Sequence, residues 1–301
     1  MKTIYNNRII MVSDMHYTTQ ETPAELKLQY PDAKASVAAG NTLGHTQKRK
    51  IDCIINDIKT FTEKENIDGI LVLGDLSIDD YSFRNLPENY CQKFRDDCMS
   101  QFSLPTYVIP GNHDSYPYEI WKGVFGYDRQ YSYKLKDTAF IMLDTFNDCP
   151  ALSASGSAYT GIDMDFLKKE LEKYPTEQIY LCSHFFPLSK LTDEFIELLN
   201  CNKRIICMFD AHTHKNNVFT DERFVQPKIN IGGYGYQGEK REDGKWYFDR
   251  YDDAWAWGYE VLEWNDTEAH VYHVKPARTY TGCNGTFTHP QTIENEFTIR
   301  F

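Results

Sequence analysis

Seven side chains of metal-ligating type occur in five short clusters along this chain: Asp14 and His16, Asp75, Asn112, His184, then His212 and His214. The order reads D-x-H … G-D … G-N-H-D … H … A-H-T-H. Hard carboxylate and amide oxygens mixed with imidazole nitrogens suit divalent ions such as Mn, Fe or Zn. Seven ligands exceed what one ion takes from protein. If one carboxylate is shared, they divide into four and four, the pattern of a two-metal hydrolytic centre.

Each cluster also has an ordinary reading. Asp14 and His16, two apart in extended chain, point the same way and can bind one ion, but an isolated D-x-H is as readily a loop Asp beside a surface His. Asp75 follows Gly74, whose missing side chain lets another backbone approach closely. It is the choice for the shared ligand, although a turn or cap Asp is common. Asn112 is a rare ligand that adds an oxygen without charge. His113, next to it, is placed to give a proton to a leaving oxygen, and Asp114 to orient that imidazole. A lone His such as His184 is usually structural, whereas His212 and His214 offer one imidazole to each of two ions. The joint order carries the reading, not any single cluster.

Four clusters directly follow apolar runs that read as strands. Arg8–Ser13 delivers Asp14 and His16, Gly69–Leu73 delivers Asp75, Gln178–Cys182 delivers His184, and Arg204–Phe209 delivers His212 and His214. Thr106–Ile109 is a further short strand leading through Pro110 to Asn112. Helices are predicted over Gln47–Asn66, where Ile51, Ile54, Ile55, Ile58 and Phe61 recur at helical spacing, and over Tyr90–Phe102, Asp163–Tyr174 and Asp193–Leu199. Gln130–Leu135 and Thr138–Leu143 form a hairpin candidate around Lys136-Asp137. Strands at Lys228–Ile231, Trp257–Trp264 and Ala269–Val274 follow. Strand, helix, strand in alternation implies an α/β fold with right-handed parallel crossovers. In such sheets ligands collect beyond the carboxyl ends of the strands, where these clusters fall.

The ordered series from Asp14 to His214, about two-thirds of the chain, resembles the calcineurin-like metallophosphoesterase superfamily. With D-x-H and G-N-H-D it resembles the branch containing class III cyclic-nucleotide phosphodiesterases and related phosphohydrolases. The resemblance implies a four-layer α/β/β/α sandwich of two facing mixed sheets flanked by helices. It implies that Asp14, His16, Asp75 and His214 hold one ion, that Asp75, Asn112, His184 and His212 hold the other, and that His113 is the catalytic histidine. The activity implied is hydrolysis of a phosphomonoester or phosphodiester by a hydroxide shared between two divalent ions. A small-molecule phosphoester is the expected partner, a nucleotide among the candidates. One departure is Ala211, where the family's last motif usually begins with Gly; a positive φ there would cost about 1 kcal/mol. A metal-binding scaffold without turnover is the competing class, and an intact ligand set with His113 retained argues against it.

The 301 residues are expected to form a single domain, 1–301, with an insertion at about 17–45 and a strand-rich C-terminal extension at about 227–301. A net charge of −12 excludes an extended basic surface for nucleic acid, but not a phosphate substrate, because two ions would keep the pocket itself positive. The apolar runs are about a strand long, far short of the ~20 residues of a membrane span. The N-terminus is polar and shows no signal-type segment, so a cytoplasmic location is the expectation. Eight Cys with no C-x-x-C pair read as reduced thiols, with Cys182 and Cys207 buried. Gly233-x-Gly235-x-x-Gly238 matches a dinucleotide fingerprint but is followed by charged residues, so it reads as a loop. The aromatics at 246–259 read as packing. Tyr116, Tyr118 and Trp121 are read with the same preference for packing, though their position near His113 favours some substrate contact. His45, His270, His273 and His289 read as structural.

Overall fold

Side-chain parity along the central strands sorts the apolar residues into three cores. The computed structural model describes residues 4–17, 55–77, 89–147, 156–233, 239–240, 246–247, 258–282 and 285–301. Within them the strands are, in chain order, β1 (Asn7–Val12), β2 (Gly69–Leu73), β3 (Thr106–Ile109), β4 (Tyr131–Leu135), β5 (Thr138–Leu143), β6 (Gln178–Ser183), β7 (Ile205–Asp210), β8 (Asn216–Asp221), β9 (Phe224–Ile231), β10 (Glu239–Lys240), β11 (Trp246–Tyr247), β12 (Tyr259–Trp264), β13 (Glu268–Lys275), β14 (Arg278–Gly282), β15 (Gly285–His289) and β16 (Thr292–Arg300). The helices are α1 (55–64), α2 (Tyr90–Asp97), α3 (Tyr118–Phe125), α4 (Met164–Lys173) and α5 (Asp193–Cys201).

One six-stranded sheet runs β16-β13-β12-β1-β2-β3 and a second runs β4-β5-β6-β7-β9-β8. Both are mixed. β1, β2 and β3 pair in parallel, as do β5, β6, β7 and β9, while β12 joins β1 antiparallel. Ile9, Met11, Leu71 and Leu73 meet Phe140, Tyr180, Cys182 and Phe209 between the sheets. The alternate residues Ile10, Val12, Ile70 and Val72 pack outward on Ile55, Ile58, Phe94 and Trp121 of the helices. Ile141, Leu143, Ile179 and Leu181 do the same on the other side with Leu167, Leu171, Phe195 and Leu199. Burial on both faces explains why these strands read as unbroken apolar runs rather than alternating ones. The result is the four-layer α/β/β/α sandwich.

Caps set the helix ends. Asn89 accepts from the Gln92 amide, Asp163 from Phe166 and Thr192 from Phe195, each satisfying one of the otherwise unpaired first-turn amides. The expected hairpin turns at Lys136, which takes a φ of 53°. The strand-rich tail enters the first sheet through β12, β13 and β16. Cys91, Cys98, Cys182 and Cys207 are buried free thiols and Cys201 is exposed. Among the described residues no helix is long and apolar enough to cross a membrane. The insertion expected at 17–45 lies, apart from Tyr17, outside the described residues. So do the first part of the helix predicted over Gln47–Asn66, His45, most of the Gly233–Gly238 loop, and the aromatic segment between Tyr247 and Gly258.

Packing prevails over substrate contact at two of the aromatics near His113. Tyr116 and Trp121 are fully buried and do not face a substrate. Trp121 lies under the first sheet, and the Tyr116 hydroxyl accepts from the Cys91 amide at 3.2 Å. Their apolar bulk outweighs their nearness in sequence to His113.

Candidate metal centre

The ligand-type residues all stand just past strand carboxyl ends, at one end of the sandwich. Asp14 and His16 follow β1, Asp75 follows β2, Asn112 follows β3, His184 follows β6, and His212 and His214 follow β7. Five of these seven take a left-handed backbone, with φ of 50° at Asp14, 45° at His16, 51° at Asp75, 68° at His212 and 56° at His214. Non-glycine residues rarely adopt that region, and such strain gathers at functional sites. Ala211 keeps an ordinary negative φ, so its replacing the usual Gly carries no backbone penalty; the positive φ falls on His212 instead. Two glycines admit close contacts. A Cβ on Gly74 would stand 2.6 Å from His184 Nδ1, and one on Gly111 would stand 2.2 Å from Asp75 Oδ1.

The side chains converge. On one side, Asp14 Oδ1 lies 3.1 Å from His214 Nε2 and 4.0 Å from His16 Nε2. On the other, Asn112 Oδ1 lies 2.8 Å from His212 Nδ1 and 3.1 Å from His184 Nε2, and the two imidazole nitrogens are 3.3 Å apart. Asp75 Oδ2 sits between, 3.2 Å from His184 Nε2 and 3.9 Å from His16 Nε2. Asp75 therefore faces both groups. Its other oxygen accepts the His113 backbone N–H at 2.8 Å. The His113 ring meets that of His16 edge-on, with centroids 5.1 Å apart, and one of its nitrogens falls within 4.8 Å of ligand atoms of His16 and Asp75.

The donor set fits cations. His184 Nδ1 is 2.6 Å from the Leu73 carbonyl oxygen. A carbonyl only accepts, so Nδ1 carries the proton and Nε2 of the neutral ring presents a lone pair. That lone pair faces the Asp75 carboxylate and the Asn112 amide oxygen, so acceptors converge on acceptors. Positive charge at this point resolves the conflict. Burial opposes charging His184, yet Asp75 and Asp14 outweigh burial and hold its pKa up at about 10. Burial drives His16 down to about 3 and His212 to about 4, so both imidazoles are neutral at neutral pH, the form that ligates a metal. Asp14 is held at about 2, where His214 and His184 overcome the effect of burial. Asp75 lies well below its usual range, chiefly because His184 and His113 overcome the same effect.

Asp114 is engaged elsewhere than expected. Its carboxyl oxygens accept from the backbone N–H groups of Gly111 at 2.9 Å and of Leu76 at 3.0 and 3.1 Å. It ties the turn bearing Asn112 and His113 to the turn bearing Asp75, and does not reach out to orient the imidazole. Burial, reinforced by Asp75, pushes its pKa up to about 7.

Other supports carried no sequence signal. Buried Arg129 donates to Asp144 Oδ2 at 2.6 Å and to the carbonyls of Asp114 and Tyr116, both at 3.0 Å. It latches the loop after β3 in one sheet to the loop after β5 in the other. Lys228 donates to Asp210 Oδ2 at 2.8 Å, and the same oxygen accepts the Phe186 amide at 2.9 Å. That joins the loop of His184 to the strand delivering His212. Ser13 Oγ donates between Asp14 Oδ2 at 2.7 Å and the Gly232 carbonyl at 2.8 Å. His273 is structural: it is buried and lies 3.0 Å from Glu260.

Comparison with known proteins agrees with this geometry. The profile of the calcineurin-like phosphoesterase family matches residues 7–258. No curated protein matches in sequence. A dimetal phosphatase from Danio rerio is similar in structure, with a TM-score of 0.58 and 11% identity, over 96% of this chain and 99% of that one. GAP50, the anchor in the inner membrane complex of Plasmodium, is similar with a TM-score of 0.50 and 15% identity, over 96% of this chain and 89% of that one. At these identities the two structures share the fold.

Proposed function

Because this chain belongs to the calcineurin-like phosphoesterase family, we propose that it hydrolyses phosphate esters, monoester or diester, at a centre of two divalent ions. The observation that carries this reading is Asp75 Oδ2 standing between two groups of ligand-type side chains, His16 with Asp14 and His214 on one side, His184 with His212 and Asn112 on the other. Asp75 would be the ligand common to both ions. Bound there, the ions would supply a water ionised near neutral pH and would offset the charge on the phosphoryl oxygens.

The protein's own groups do the rest. Asn112 lends an oxygen without adding charge, so Asp14 and Asp75 are the only carboxylates among the seven ligands and the site retains positive character for a phosphate. His113, beside His16 and Asp75 and anchored through its backbone to Asp75, gives a proton to the leaving oxygen. The strained, hydrogen-bonded loops keep these groups fixed, so little reorganisation accompanies reaction. No side chain is needed as a covalent carrier, and a chiral phosphorothioate substrate is expected to show inversion at phosphorus.

The test is hydrolysis of nitrophenyl phosphate and bis-nitrophenyl phosphate by metal-quantified protein with added Mn2+. Turnover of either supports the reading and sorts monoesterase from diesterase activity. No turnover of either, with metal bound, would favour a scaffold of the same fold.

A further inference from the structure

The metal cluster has an aromatic wall on the side of the second sheet. Phe185, next in sequence to His184, lies 4.3 Å from the His212 ring, tilted by 43°. Tyr159 meets Phe185 edge-on at 5.9 Å and 81°, and buried Phe146 backs Tyr159 at 6.3 Å and 85°. Phe185 and Tyr159 are only partly buried, so their rings retain accessible surface. The exposed Lys190 places its ammonium 5.5 Å over the Tyr159 ring.

The wall is held in register with the ligands. The Ser157 amide donates to the Asn112 carbonyl at 2.8 Å, and the Thr160 amide donates to the Thr145 carbonyl at 2.8 Å. Gly156, with φ of 83°, lies so near the Asn112 turn that a Cβ would stand 2.4 Å from the Asn112 carbonyl oxygen. Tyr159 is thus fixed between an anchor to a ligand turn and an anchor to the loop after β5.

We propose that Phe185 and Tyr159 form a subsite for a planar aromatic group carried by the phosphoester, and that this group is the base of a nucleotide. Rings stack on any nucleobase because each has a π face. Phe185 touches a ligand imidazole, which puts a stacked base within reach of a phosphate at the ions. The proposal rests on the phosphoesterase reading for its phosphate, but its test is separable.

Titration calorimetry on the full chain loaded with Mn2+ compares adenosine 5′-monophosphate with ribose 5-phosphate, which differ only in the base. The nucleotide is expected to bind at least about 10-fold tighter, the scale of one base–aromatic stack. Phe185→Leu should reduce that ratio to below about 3-fold, and Phe185→Trp should keep it. If Phe185→Leu does not fold, Tyr159→Leu makes the same comparison. Equal affinities in the unaltered protein, or a ratio that survives removal of the ring, would overturn the proposal. Hydrolysis of nitrophenyl phosphate by the same preparation reports separately on the phosphoesterase reading: turnover without base preference sinks the subsite alone.

Discussion

Asp75 Oδ2 stands 3.2 Å from His184 Nε2, on the edge of one ligand group, while remaining 3.9 Å from His16 in the other. One carboxylate therefore couples two sets of side chains that arrive from five loops of two different sheets. Replacing Asp75 by Asn keeps the shape and removes the charge. Metal content should fall, and activity should drop by more than roughly 100-fold, the upper end of what loss of an outer-sphere partner costs. Elemental analysis together with rates on nitrophenyl phosphate checks it. Normal values of both would show that Asp75 is not shared.

His113 is expected to behave differently. Its ring borders the cluster, so His113→Asn should retain metal while turnover falls by about 10²–10⁴, the usual contribution of a positioned acid. The loss should be large for an alkyl phosphate and small for nitrophenyl phosphate, whose leaving oxygen needs little protonation. An equal loss on both would mean that His113 does not serve the leaving group.

Arg129 and Asp144 form a buried ion pair, with side chains 4% and 3% exposed. Arg129→Met leaves the carboxylate uncompensated and should destabilise the protein by about 3–5 kcal/mol, with much of that recovered in the Arg129→Met, Asp144→Leu double variant. Thermal unfolding of the three proteins tests this. A single variant as stable as the parent would show that the latch contributes nothing.

What the sequence displays locally it displays well. Gly69–Leu73, Thr106–Ile109 and Thr138–Leu143 are apolar because they are covered on both faces, and their ends coincide with the strands observed. The residues following the first two carry metal-type side chains at positions that the sheet topology brings to one end. Elements facing solvent are less legible. β8, N-N-V-F-T-D, is a half-exposed edge strand without an apolar run, and α3 contains Gly123 and lacks a side-chain cap. Long-range pairing leaves no local trace either: β1 joins β12 across some two hundred and fifty residues. For the same reason adjacency in sequence pairs Asp114 with His113, whereas its partners include the amide of Leu76, 38 residues away.

Metal-free protein should have a stability maximum near neutral pH. His16 at about 3 and His212 at about 4 lie below the ordinary histidine value of 6.5. Between those values the unfolded chain binds more protons than the native one, so stability is lost as pH falls from 6.5. His184 at about 10 is raised. Its contribution is full below 6.5 and is lost as pH rises toward 10. A bound cation takes the place of the His184 proton, so adding Mn2+ should flatten the alkaline limb. Denaturant midpoints across pH, with chelator and with Mn2+, decide this. Identical alkaline limbs in the two series would contradict it.

The most direct test of a shared-carboxylate centre is the number of ions bound by active protein. Protein assayed for phosphoester hydrolysis and then analysed by inductively coupled plasma mass spectrometry should hold about two divalent ions per chain, and activity should fall and return with chelation and re-addition. Full activity in protein carrying no ion would contradict the central claim.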